Sequence, residues 1–138
     1  MKIHVSNPVY QFEDYVNKNL SELGSCCYDG EANHIILENV ISQIGYEELP
    51  AKIHEIWKKL AVNGKLTIVS LEIDTVLKMY MSGIFTMHQL NHIIFNKESV
   101  RSVYSIIDVL NIIKQMPFSI LTKSISETGY FVIEVVKQ

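Results

Sequence analysis

The chain has 138 residues, 48% of them hydrophobic and 20% charged, with a formal net charge of −3. That composition suits one folded domain over residues 1–138 and excludes an extended disordered chain. A weakly acidic balance also argues against general nucleic-acid binding, which needs a basic face.

The first residues, Met1-Lys2-Ile3-His4-Val5, alternate as a short strand. Ser6-Asn7-Pro8 then opens a loop. From Tyr10 to Leu23, the residues Phe12, Tyr15, Val16, Leu20 and Leu23 recur at spacings of three and four. That period predicts an amphipathic helix, stopped at Gly24. The aromatic stripe Tyr10, Phe12 and Tyr15 reads as core, as does Trp57. Cys26 and Cys27 are the only cysteines and are adjacent, so they fit neither a C-x-x-C redox pair nor a zinc knuckle. They read as buried, reduced thiols. Ser25 to Tyr28 is a strand stub or a loop, and Asp29-Gly30 a turn.

The run Ile35-Ile36-Leu37 within His34 to Ile41 is continuous and apolar, as in a strand covered on both faces. Leu49, Ile53, Ile56, Trp57 and Leu60 mark one face of the next helix, with Pro50 early in it. Glu48–Lys52 and Glu55–Lys59 form i,i+4 pairs on its polar side. Asn63-Gly64 ends this helix. Lys52, Lys58, Lys59 and Lys65 read as a solvated face rather than a phosphate-binding patch. Lys65 to Ile73 is the clearest strand. Asp74 is placed to cap a helix over Thr75–Ser82 that closes at Gly83.

Ile84 to Asn96 has helical spacing in Met87, Leu90 and Ile94. His88 and His92 lie at i,i+4 there, but no third ligand accompanies them, so no metal site is expected. Ser105 and Asp108 resemble a capping box ahead of Ile106, Leu110 and Ile113. Phe118–Ile125 and Tyr130–Lys137 are two strands joined by Ser126-Glu127-Thr128-Gly129, a hairpin. Strands alternating with helices predict an α/β fold: a mostly parallel sheet, helices on both faces, and a C-terminal antiparallel hairpin.

In such sheets ligands sit beyond the carboxyl ends of the strands. Ser6 and Asn7 follow the first strand. Glu38, Asn39, Ser42 and Gln43 follow the next apolar one, and Ser70, Glu72 and Asp74 close the third. Glu72 and Asp74 beside Glu38 form a base-and-orienter set only if they face one pocket. Otherwise Asp74 is a helix cap and Glu38 a polar strand residue. No G-x-S-x-G or Walker loop occurs.

The stretch His34 to Asp74 resembles the central part of class I S-adenosylmethionine-dependent methyltransferases of the small predicted bacterial and phage type. Val40-Ile41-Ser42-Gln43 stands where that family has a V-L-E-H-like segment. Lys58 to Leu66 stands where it has R-V-L-K-P-G-G-x-L, with Val62-Asn63-Gly64 in place of P-G-G. The late helix and last strand are also similar, so the likeness runs from Glu31 to Lys137.

The resemblance implies a minimal Rossmann-like methyltransferase fold, with residues 1–30 a reduced strand-helix part and 31–138 the core. It implies S-adenosylmethionine as cofactor, held by Ser6, Asn7, Glu38, Asn39 and Ser42. The family's glycine-rich loop is missing from Lys2 to Tyr10, and its Glu-His pair is Ser42-Gln43 here. Only 28 residues separate Val5 from His34, room for one crossover helix, with the family's second and third strands deleted or reduced to a stub near Cys26-Cys27-Tyr28. A binding protein with a degenerate cofactor site is therefore the leading expectation. It would act as a homo-oligomer or with a larger partner through an exposed sheet edge. The alternatives are an active methyltransferase with a non-standard or dimer-completed pocket, and a structural or viral accessory protein that reuses the fold. No signal peptide or membrane span is expected, which places the chain in the cytoplasm. The catalytic residues and the methyl acceptor are not defined by the sequence.

Overall fold

The computed structural model describes residues 1–96 and 99–138. Six strands form one sheet: β1 (Lys2–Val5), β2 (Val16–Lys18), β3 (Ala32–Glu38), β4 (Leu60–Leu71), β5 (Phe118–Ile125) and β6 (Tyr130–Lys137). Their spatial order is β2-β1-β3-β4-β6-β5. The first four pair in parallel, and β6 runs antiparallel to both β4 and β5. The α/β reading with a closing antiparallel hairpin matches this sheet. The α-helices among the described residues are α1 (Leu49–Lys59), α2 (Ile73–Met81), α3 (Met87–Ile94) and α4 (Ile106–Ile113).

Strand alternation separates the two faces of the sheet. Ile3 and Val5, Ile35 and Leu37, Leu66 and Ile68, then Phe131, Ile133 and Val135 are fully buried and lie side by side across the strands. Leu49, Ile53 and Ile56 of α1, Val109, Leu110 and Ile113 of α4, and Leu23 complete the same core. On the other face, Ile36, Thr67, Val69, Val132, Glu134 and Val136 are only half-buried.

Helix α2 seats against the β5–β6 turn. A Cβ at Gly129, which has φ +90°, would meet Val76 Cγ2 at 2.8 Å. The Ser105–Asp108 capping box that opens α4 is present, and a second one, Thr86–Gln89, opens α3.

Several expectations are corrected. No α-helix spans Tyr10–Leu23. Residues 6–15 form an irregular strap, β2 follows, and a 3-10 turn covers Leu20–Ser25. The reason is local competition: the Asn17 amide takes the Phe12 N–H and the Phe12 and Tyr15 carbonyls that a helix would use. Asp14 adopts φ 65°, which breaks the helical path, and Asn19 and Glu22 cap the later turn. The stub strand is Val16–Lys18, not the stretch around Cys26-Cys27-Tyr28.

Asn63-Gly64 does not end α1. The helix stops at Lys59, and the two residues form an irregularity inside β4, Asn63 at φ 62° and Gly64 pressed against the Ala61 and Ala32 carbonyls. Asp74 makes no cap, since α2 begins one residue earlier behind Glu72. Lys52 pairs with Glu55 and Glu48 with Arg101, in place of the i,i+4 pairs. Lys59 is buried rather than solvated, its Nζ 2.6 Å from the Cys27 carbonyl. Trp57 sits at the rim, half-buried, with the Lys137 ammonium 4.1 Å from its ring centroid.

Candidate functional site

The strand order reverses between β1 and β3, because the chain moves outward to β2 and then returns to the far side of β1. In open α/β sheets the crevice at that point, beyond the carboxyl ends, is where ligands bind. Ser6 and Asn7 leave β1 there, and Glu38 ends β3 beside them. Ser6 is nearly buried. Its N–H donates to the Lys18 carbonyl, and its hydroxyl donates to the Pro8 carbonyl at 3.2 Å. The Asn7-Pro8 peptide is cis.

Alternation puts Ile3 and Val5 in the core and therefore turns His4 to the opposite face, where it pairs in register with Ile36. Glu38, two residues beyond Ile36, reaches the same face. His4 is fully buried, with Nε2 2.6 Å from Glu38 Oε2 and Nδ1 3.2 Å from Asn17 Oδ1. The strap covers it. Phe12 stacks on the imidazole with centroids 4.6 Å apart, and Tyr10 meets it edge-on at 4.9 Å. The Tyr10 hydroxyl donates to Glu38 Oε2. That bond, with burial and the carboxylate charge, pushes the Tyr10 phenol up to about 12.

Tyr15 continues the layer, its hydroxyl 2.7 Å from His34 Nδ1, while His34 Nε2 lies 2.8 Å from the Thr67 hydroxyl. Burial raises the Tyr15 phenol and lowers His34, which favours neutral rings in both. The aromatic stripe is thus not interior core: Tyr10 is 44% and Phe12 37% exposed on their outer sides.

Asn39 and Ser42 part from the other three expected contacts. Asn39 adopts φ 55° after β3, and its N–H donates to the Val69 carbonyl, so it sits next to Ser70. Asn39, Ser42, Ser70 and Tyr130 line a separate cavity of about 140 Å³, together with Ile93, Ile94, Val100 and Tyr104. Among the described residues Asn39 Oδ1, buried there, has no hydrogen-bond partner. Glu72 does not face this cavity as a base. It is 2% exposed and accepts the Ile106 N–H at 2.5 Å, at the start of α4, while Asp74 is exposed.

Cys26 and Cys27 are free but half-buried rather than buried, and burial together with Cys26 holds the Cys27 thiol up at about 11, well away from a reactive thiolate. His88 and His92 are both exposed on α3. Among the described residues no three His, Cys, Asp or Glu are grouped to hold a metal, and no helix is long and apolar enough to cross a membrane.

Sequence reasoning missed His4, Asn17 and His34 as neighbours of the crevice. The signal was present for His4, a polar residue between two apolar ones at the end of a first strand.

No family model matches the chain, and no curated protein matches it. Solved structures do. The chain is similar to a SAM-dependent methyltransferase from Methanosarcina mazei at 14% identity and TM-score 0.59, over 91% of this chain and 70% of that one. It is similar to magnesium protoporphyrin IX methyltransferase from Synechocystis with bound SAH at 20% identity and TM-score 0.56, over 84% and 48%. An O-methyltransferase family protein from Burkholderia thailandensis matches at 14% identity and TM-score 0.60, over 91% and 36%. The chain spans about half the length of the first of the solved structures it matches. Its sheet order, crevice and closing hairpin have the fold of the class I S-adenosylmethionine-dependent methyltransferases.

Proposed function

We propose that this chain is a methyltransferase-like protein whose cofactor crevice is filled by its own strap, and that it acts by associating with a second copy or a larger protein. The observation that carries this reading is the bond from the Tyr10 hydroxyl to Glu38, made over the buried His4. The polar groups that would contact S-adenosylmethionine at the strand ends are engaged within the chain, since Ser6 also binds the Pro8 carbonyl.

The connection from β1 to β2 supports the same reading. It has neither a glycine nor a following α-helix, so it lacks the backbone cradle and helix N-terminus that hold a cofactor's polar tail. A shortened N-terminal half would account for that. The surfaces left for association are the outer edge of β5, where Leu121 and Ile125 are about half exposed, and the half-buried face of Val69, Val132 and Val136.

A second reading, an active enzyme with a non-standard pocket, is favoured by one observation: the unpartnered Asn39 Oδ1 at the cavity beside Ser70. Buried polar atoms are rarely left unpaired, and a methyl acceptor with a donor group would satisfy this one. Ser6, Asn7, Glu38, Asn39 and Ser42 would then be the contacts of cofactor and acceptor.

Calorimetry with S-adenosylmethionine and S-adenosylhomocysteine, with light scattering on the same sample, separates the two. The first reading expects no heat up to millimolar ligand and a mass above that of one chain. A micromolar dissociation constant would overturn it and support the second.

A further inference from the structure

Helix α3 carries two histidines that the association described above leaves unused. His88 and His92 stand one turn apart, so their Cβ atoms lie about 5–6 Å from each other on one face. Both side chains are exposed. They open onto the same groove, a concavity of about 400 Å³ that Phe85, Gln89 and Ile93 also line. Two features hold the spacing. In the Thr86–Gln89 capping box the Thr86 N–H donates to Gln89 Oε1 at 2.9 Å, and the Gln89 N–H donates to the Thr86 hydroxyl at 3.2 Å. Leu90, on the opposite side of the helix, is only 6% exposed and anchors it.

Imidazoles spaced i,i+4 on a helix form a two-point chelate for a divalent metal. A zinc ion held by side chains takes four ligands at tetrahedral positions. The groove offers two, and among the described residues no group of three His, Cys, Asp or Glu is assembled to hold a metal. The pair is thus half of a site. A two-fold axis through the metal supplies the other half, because the same two residues arrive from a second copy. Each pair spans one edge of the tetrahedron along its own helix. Opposite edges of a tetrahedron are perpendicular, so the two helices must cross steeply.

The surroundings of the pair suit a second copy. Phe95, seven residues after His88 and so two turns along the same face, is 63% exposed, and Ile84, just before the helix, is 60% exposed. A second α3 laid across the groove would cover this apolar surface. From Thr75 to Asn96 the only formally charged side chain is Lys78, so two identical faces meet with little like-charge repulsion.

We propose that His88 and His92 bind a zinc ion shared between two copies of this chain, which it joins through α3. The site rests on the reading that the chain associates with a second copy, and adds a contact separate from the β5 edge and the open sheet face.

The test is calorimetric titration of the full chain, stripped with a chelator and dialysed, with zinc chloride, and light scattering on the same samples. The expected result is one zinc for two chains and a mass at least twice that seen in chelator. His88→Ala and His92→Ala should each weaken binding by about tenfold or more and remove the mass increase. His54→Ala, at an exposed histidine of α1, should change neither. Cobalt(II) in place of zinc should show the intense visible absorption of a tetrahedral ion. One zinc per chain with no change in mass overturns the shared site, as does zinc binding that survives both substitutions, or no binding at all. The mass in chelator reads association on its own. A mass above one chain that neither zinc nor His88→Ala alters keeps the association and overturns the metal contact. A single-chain mass that doubles with zinc keeps the metal contact and removes the sheet surfaces as the interface.

Discussion

Replacing Asn17 with alanine tests how the strap is held. The amide makes four contacts of different cost. Its oxygen faces His4 Nδ1 at 3.2 Å in a site with no solvent, so Asn17→Ala leaves a buried ring nitrogen unpaired, at about 1–3 kcal/mol. Its other bonds join strap backbone that water can reach: those to the Phe12 N–H and the Tyr15 carbonyl contribute about 0.5 kcal/mol each, and the 3.5 Å contact to the Phe12 carbonyl adds little. The expected loss is about 2–4 kcal/mol.

Asn17→Asp keeps the acceptor beside His4, loses the donor to the Phe12 and Tyr15 carbonyls, and places a negative charge next to the imidazole. It should cost about 1 kcal/mol or less at neutral pH. Urea denaturation followed by far-ultraviolet circular dichroism measures both, with the slope as a check on two-state behaviour. If Asn17→Ala falls within about 0.5 kcal/mol of wild type, as ordinary surface changes do, the Asn17 amide does not hold the strap on His4.

Three further outcomes follow from the packing. Ile68→Ala, on the helix-covered face, should cost about 2–5 kcal/mol, whereas Val69→Ala on the half-buried face should cost about 1 kcal/mol; equal losses would show that both faces are closed equally. Gly64→Ala drives a Cβ to 2.8 Å from the Ala61 carbonyl and 2.9 Å from that of Ala32, and should cost about 1–3 kcal/mol by thermal melting. In an alkaline ultraviolet titration Tyr10→Phe should remove a tyrosine that ionises near 12. Because folding raises this phenol above its ordinary value of 10.0, its contribution to stability is complete below that pH and lost between there and about 12. An unchanged titration curve in the variant would contradict the Glu38 bond.

Much of the sheet was legible because local and tertiary signals agree there. Ile35-Ile36-Leu37 and Lys65 to Leu71 are strands by composition alone, the Ser105–Asp108 box is a cap by its own spacing, and the final hairpin carries its turn residues. The 10–25 stretch was not legible. Aromatics at spacings of three and four suit a helix face equally well as a strap whose rings settle on two histidines. What decides is the Asn17 side chain, which competes for backbone groups only once β1 and β3 present His4 and His34. Glu72 was misjudged for a similar reason. Its partner, the Ile106 N–H, lies 34 residues away, and nothing near Glu72 announces it.

Of the five residues expected at the strand ends, Ser6, Asn7 and Glu38 lie side by side where β1 and β3 end. The positive φ of Asn39 carries it and Ser42 to a different cavity, a turn that residue type alone does not dictate.

The most direct test of the account is a titration of the isotopically labelled chain with S-adenosylhomocysteine, read from the backbone amides of Ser6, Asn7 and Asn39. A crevice closed by Tyr10 predicts no shift at those amides up to millimolar ligand at neutral pH. A saturable shift confined to them would contradict it, and would show that the strand ends still hold the cofactor.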